Sequence, residues 1–171
     1  MCIRDRLLHE QMGPVLEADR PYTLLIRGGW PGADGEPMLF DLQVPFTTTA
    51  ADLDQPLPMR WKITPPTAFT REPLVVRLDE PLDHALLQHM LQVVPLEGAA
   101  LAGEVFTGVD EATWTFVPAE PWTPVAHALA VHPDLEDLAG NSVGRPFEAR
   151  LETPSPVRPT APVRIPFQPR P

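Results

Sequence analysis

The sequence predicts an all-β protein, a sandwich of short antiparallel strands, and three observations carry that prediction. Apolar residues alternate with polar ones over runs of four to six, the period of half-buried strands. Proline makes up 24 of the 171 residues, far above the usual ~5 %. That excludes long helices and suits turns, edge strands and linkers. The chain also repeats itself. Shifted by 105 positions (127 − 22 = 105), Tyr22–Thr48 lies on His127–Thr153 without a gap, and the in/out pattern matches. A fixed period of that length indicates tandem copies of one small domain.

The elements follow in order. Residues 1–6 resemble a translated sequencing-adapter fragment and are expected to be non-native. Residues 7–48 are expected to be the C-terminal fragment of a first domain, which on the repeat would start about 48 residues before Met1 (57 − 105 = −48). Within it, Tyr22–Arg27 reads as a strand, with Tyr22, Leu24 and Ile26 on one face. Gly28–Pro37 is a loop that turns at Asp34-Gly35, and Asp41–Thr48 is a second strand. Residues 49–56 form a polar linker.

Residues 57–152 are expected to be a complete domain. Met59–Thr64 is a strand with Trp61 and Ile63 inward, and Pro73–Asp79 turns Leu74, Val76 and Leu78 to one face. Leu82–Met90 is the one helical segment, with Asp83 as its N-cap and Leu82, Leu86, Leu87 and Met90 sharing a face. Leu91–Val94, Leu101–Phe106 and Thr113–Val117 are further strands, the last placing Trp114 and Phe116 together. His127–Val131 and Phe147–Leu151 close the set. Such a series of short strands in under 100 residues has the count and spacing of an Ig-like β-sandwich. Residues 153–171, with proline at nearly every second or third position, are expected to be an extended, poorly packed tail.

Composition narrows function. The net charge of −10 argues against nucleic acid as a partner. No stretch approaches the ~18 apolar residues of a membrane span. Cys2 is the single cysteine, so no internal disulfide forms.

One part of the chain resembles a known family. Trp114-Thr115-Phe116-Val117-Pro118, Pro121-Trp122, Leu129-Ala130-Val131 and Leu135-Glu136-Asp137-Leu138-Ala139-Gly140-Asn141 together are similar to the bacterial Ig-like domain first described in S-layer proteins. Its members carry W-x-F-x-P and Y-x-L-x-V strands, a D-x-A-G-N turn and a closing F-x-x-x-F strand. His127 stands where that family usually has Tyr, and Leu151 where it has Phe. The resemblance implies an exported, multi-domain surface protein, its signal peptide upstream, in which such domains act as spacers or adhesive modules. Implied partners are neighbouring Ig-like domains, a cell-surface polymer or another protein. It implies no catalysis and no cofactor.

Candidate chemistry is sparse. Asp134, Glu136 and Asp137 with Asn141 form the one dense set of oxygen ligands. Calcium wants six to eight oxygens, but the spacing is not that of an EF-hand. The competing reading is a turn in which Asp137 caps backbone N–H groups. His84 and His89 are five apart, whereas helical zinc pairs sit at i, i+4. Ser142 and Ser155 lack a G-x-S-x-G setting. Trp30 and Trp122, both in loops, are candidates for a sugar-stacking surface, while Trp61 and Trp114 read as core. The resulting expectation is a non-catalytic structural, spacer or adhesion module. The alternative is a carbohydrate- or calcium-binding accessory module of an exported enzyme.

Overall fold

The computed structural model describes residues 15–145 and 161–171. The chain divides into two compact units, one up to Asp52 and one from Leu53 onward. The division falls inside the linker expected at 49–56.

In the first unit, β1 (Pro21–Ile26) and β2 (Leu42–Thr47) form a two-stranded antiparallel sheet. The register sets Tyr22 opposite Phe46, Leu24 opposite Val44 and Ile26 opposite Leu42. These six apolar side chains share one face, because facing partners in a ladder point to the same side. Tyr22 and Phe46 stack with ring centroids 5.9 Å apart. Thr48 ties the open end: its N–H donates to the Arg20 carbonyl at 3.0 Å, and its hydroxyl donates to the Glu17 carbonyl at 2.6 Å. At the loop, Gly35 N–H donates to the Gly32 carbonyl at 3.0 Å, closing the turn read at Asp34-Gly35.

The second unit is a β-sandwich. A short 3-10 turn (Pro58–Arg60) leads into β3 (Lys62–Thr64) and β4 (Leu74–Arg77). Next come the one-turn helix α1 (His84–Leu87) and β5 (Leu91–Pro95). The strands β6 (Gly103–Thr107), β7 (Thr113–Pro118), β8 (His127–Val131) and β9 (Val163–Phe167) complete it. One antiparallel sheet runs β3-β4-β7-β6 and the other β5-β8-β9. Alternation decides what lies between them. Leu74 and Val76 of β4 and Trp114 and Phe116 of β7 face Leu91 and Val93 of β5, Leu129 and Val131 of β8 and Phe167 of β9. Gly103 is required where β6 passes β7, because a Cβ there would lie 2.5 Å from the Phe116 ring.

The helical segment is shorter than the expected Leu82–Met90, but its start is as read: the Asp83 carboxylate accepts from the Leu86 N–H at 2.8 Å. Leu82 and Leu87 are fully buried. With one turn of helix, tertiary burial holds this segment rather than helix propensity.

The tail reading is corrected. Residues 163–167 are not a poorly packed extension; they are β9, and they complete the sheet. Leu129 faces Ile165, and His127 faces Phe167. The second domain therefore does not end at 152. Two properties hid the strand. Proline density pointed to a linker, yet among the described residues β9 is an edge strand, the place in a sheet where proline is tolerated. The 105-residue shift had also assigned the place beside β8 to Phe147–Leu151, which lies outside the described residues. The register gives a different offset for this strand: Leu42, Val44 and Phe46 correspond to Val163, Ile165 and Phe167 (167 − 46 = 121). The match is closer too, since Val44-Pro45-Phe46 answers Ile165-Pro166-Phe167.

Beyond β9 the chain end is pinned. Arg170 N–H donates to the Pro66 carbonyl at 2.8 Å, and Ala68 N–H donates to the Arg170 carbonyl at 2.7 Å. The Arg170 guanidinium lies 3.1 Å from the Glu72 carboxylate. Hydrogen bonds from Thr67, its side chain first and its backbone N–H second, hold the Glu72 carboxyl below the usual range, and the Arg170 charge adds to this. A lowered native pKa stabilises the fold above the unfolded value, and the gain is lost as pH falls through the native one. Melting temperatures of wild type and Glu72→Gln should therefore differ at pH 6 and draw together as the pH falls below about 4. A gap that widens on acidification would contradict the clamp.

Trp114 is fully buried, and its indole N–H donates to the Leu87 carbonyl at 3.0 Å. Trp114→Ala should cost about 3–5 kcal/mol, read as a fall in the denaturant midpoint. A variant that unfolds like wild type would refute its place at the centre of the core.

Candidate functional site

Two places in the second unit gather the side chains with chemical potential: the loop after β8 and an aromatic corner at Trp122. The chain leaves β8 still alternating. Val131, Pro133, Leu135 and Asp137 turn inward and are buried, while His132, Asp134 and Glu136 point the other way. That period of two decides the fate of the four oxygen-bearing residues.

Asp137 and Asn141 come together. Asp137 Oδ1 accepts from the backbone N–H groups of Ala139 and Asn141, both at 2.8 Å, and Oδ2 accepts from the Asn141 side-chain amide at 2.9 Å. Gly140 has φ +86°, a conformation in which a Cβ costs energy. Asn141 is fully buried. Asp134 and Glu136 do not join them. Asp134 sits 3.8 Å from His132 Nδ1, and the Glu136 carbonyl accepts from Asp83 N–H at 2.9 Å. The loop is thus the turn capped by Asp137, and the four residues do not converge as one ligand set. Sequence reasoning missed Glu80, whose carboxylate oxygen lies within 4.8 Å of one from Asp137; a lone acid far away in sequence gives no spacing signal.

Ser142 is buried, and its hydroxyl is engaged with Arg145, donating to the carbonyl at 3.1 Å and accepting the N–H at 3.2 Å. His84 lies on α1, 3.5 Å from Glu111, and His89 follows beyond the end of the helix. One helical turn does not set them on a common face.

The aromatic corner corrects a second expectation. Trp122 is buried, not a surface platform: its relative exposure is 2 %. Its indole N–H donates to the Glu72 carbonyl at 2.8 Å. Its ring meets Phe116, His127 and Phe167 edge-on at centroid distances of 5.5–6.0 Å. The side chain needs a floor to pack on, and Phe167 of the unforeseen β9 is that floor. His127, 1 % exposed, stacks on Phe167. Its Nδ1 carries a hydrogen, since it lies 2.8 Å from the Val125 carbonyl, which can only accept. The depression outside this corner, bounded by Leu101, Glu120 and Thr123, holds about 190 Å³, below the ~300 Å³ at which ligand pockets begin. Among the four tryptophans, Trp30 alone is exposed.

Among the described residues, every buried side-chain nitrogen or oxygen has a hydrogen-bond partner.

No protein-family model and no curated protein matches this chain.

Asp137→Ala should leave three N–H donors without their acceptor, two of them on the buried Asn141. The cost should be about 1–3 kcal/mol, with faster hydrogen exchange at Ala139 and Asn141. An unchanged melt would mean that the carboxylate does not organise the loop.

Proposed function

We propose that this chain is a non-catalytic structural module of a larger exported surface protein, built from tandem Ig-like sandwiches that space or display other parts. The observation that carries this reading is strand order. Numbering the strands of the second unit one to seven (β3 to β9), one sheet runs one-two-five-four and the other three-six-seven. That is the order of constant-type Ig sandwiches. The β1–β2 pair supports the tandem reading, because it repeats the register and residue pattern of β8–β9. Burial of Trp122 removes one of the two aromatics on which sugar stacking rested.

A spacer bears load, and here the last residues are clamped at Ala68 and Glu72. Stretching the chain between its ends should give one abrupt release for the second unit. Its 119 residues (171 − 53 + 1) should lengthen the tether by about 400 Å. Gradual extension without a step would overturn the load-bearing reading.

A further inference from the structure

Among the described residues, the β1–β2 pair is a sheet without a core. Leu24 is 52 % exposed, Val44 42 % and Phe46 40 %. Their register counterparts Leu129, Ile165 and Phe167 all lie in the sandwich core or against it. The same in/out pattern thus occurs twice, once covered and once open. A two-stranded ribbon is marginal in water, so an apolar face of six side chains signals a partner.

A further contact identifies the partner. The Tyr22 hydroxyl accepts from the Glu17 backbone N–H at 2.9 Å, five residues upstream. A tyrosine near the start of the sixth Ig strand, bonded back to the backbone a few residues before it, is the corner that turns the chain into that strand. At the matching place in the second unit, His127 Nδ1 bonds the Val125 carbonyl, two residues upstream. Both strand pairs are therefore entered through an aromatic side chain tied to the backbone just behind it.

We infer that β1–β2 is the sixth and seventh strand of another sandwich, and that its apolar face is covered by a further set of strands of the β3–β7 type. Such a set supplies two things. One is a strand on the free edge of β1, as β5 pairs with β8. The other is an opposing sheet with large inward side chains at the places of Leu74, Val76, Trp114 and Phe116. The β3–β7 set of this chain already covers β8 and β9, so the occupant is a second such set. This inference rests on the tandem reading above and names the partner of the open face.

The test is a graft onto the full chain. Residues 53–119 are spliced ahead of Val15 (120 − 105 = 15), which keeps register and leaves the Tyr22 corner intact. Hydrogen exchange in β1 and β2 should slow by on the order of a hundredfold relative to the ungrafted chain, as expected when strands join a cooperative core. An apolar dye bound by the ungrafted chain should be released. Introducing Leu24→Lys and Val44→Lys into the graft should abolish the gain while the second unit melts as before. No added protection, or a gain that survives both lysines, overturns the inference. So does a 171-residue chain that sediments as a dimer with β1–β2 already protected, because the occupant is then a second copy. Discovery of a bound glycan would sink the spacer function and leave the graft result standing.

Discussion

The aromatic column between the two sheets of the second unit is the interaction on which the rest of that sandwich depends. Trp114 stacks on Phe116 at 6.0 Å, Phe116 meets Trp122 at 6.0 Å, and Trp122 meets Phe167 at 5.9 Å. The column thus runs from β7 through a loop to β9, from one sheet to the other. Aromatic pairs at such distances add about 0.5–1.5 kcal/mol each beyond their buried area. Each indole also has a polar handle, and each handle holds a different connection. Trp114 bonds the end of α1, Trp122 bonds the stretch before β4, and Trp61 donates to Asp79 Oδ1 at 2.7 Å. Core packing and loop placement are therefore one constraint. A change of column geometry would move the connections as well as the sheets.

The polar interior follows the same economy. Asp137, Asn141 and Ser142 are buried in the loop after β8, and each is turned toward a backbone group or toward another of the three. A buried polar group costs free energy unless it is hydrogen-bonded, so a loop that keeps three of them must be built around their partners. This explains why an acid-rich stretch forms a hydrogen-bonded turn. The acid with access to the interior is engaged by two backbone N–H groups and the Asn141 amide, and the two acids before it, Asp134 and Glu136, project to the other side.

Most of the fold was legible in the sequence, and the failures share a cause. The strands at Leu74–Arg77 and Thr113–Pro118 were read within one or two residues, whereas the expected Met59–Thr64 opens in the 3-10 turn Pro58–Arg60 and is a strand only over Lys62–Thr64. Asp83 was readable because a helix cap is local chemistry. Val163–Phe167 was missed although Val163, Ile165 and Phe167 alternate cleanly. Its prolines spoke for a linker, and whether proline is tolerated depends on edge position, which a one-dimensional reading lacks. Trp122 was misread for a related reason. A tryptophan between prolines in a loop is exposed unless something distant covers it, and what covers it is the missed strand. The Glu80 approach to Asp137 and the Arg170–Glu72 clamp are long-range encounters with no spacing signal.

The strand pairs β1–β2 and β8–β9, alike in register, separate what is encoded locally from what is not. Tyr22–Phe46 and His127–Phe167 occupy the same rung of their ladders, yet the connection between the strands is 15 residues long in the first unit (27 to 41) and 31 in the second (132 to 162). Register therefore does not come from loop length. It comes from the alternation, because a slip of one strand by one residue would turn its three apolar side chains to the face opposite their partners. In the second unit that penalty is enforced by the core. In the first, the described residues pair in the same register with no such core beneath them. The stacked Tyr22 and Phe46 rings and the Thr48 bonds to Glu17 and Arg20 fix one end of the ladder, so the pattern is held in place from its edge.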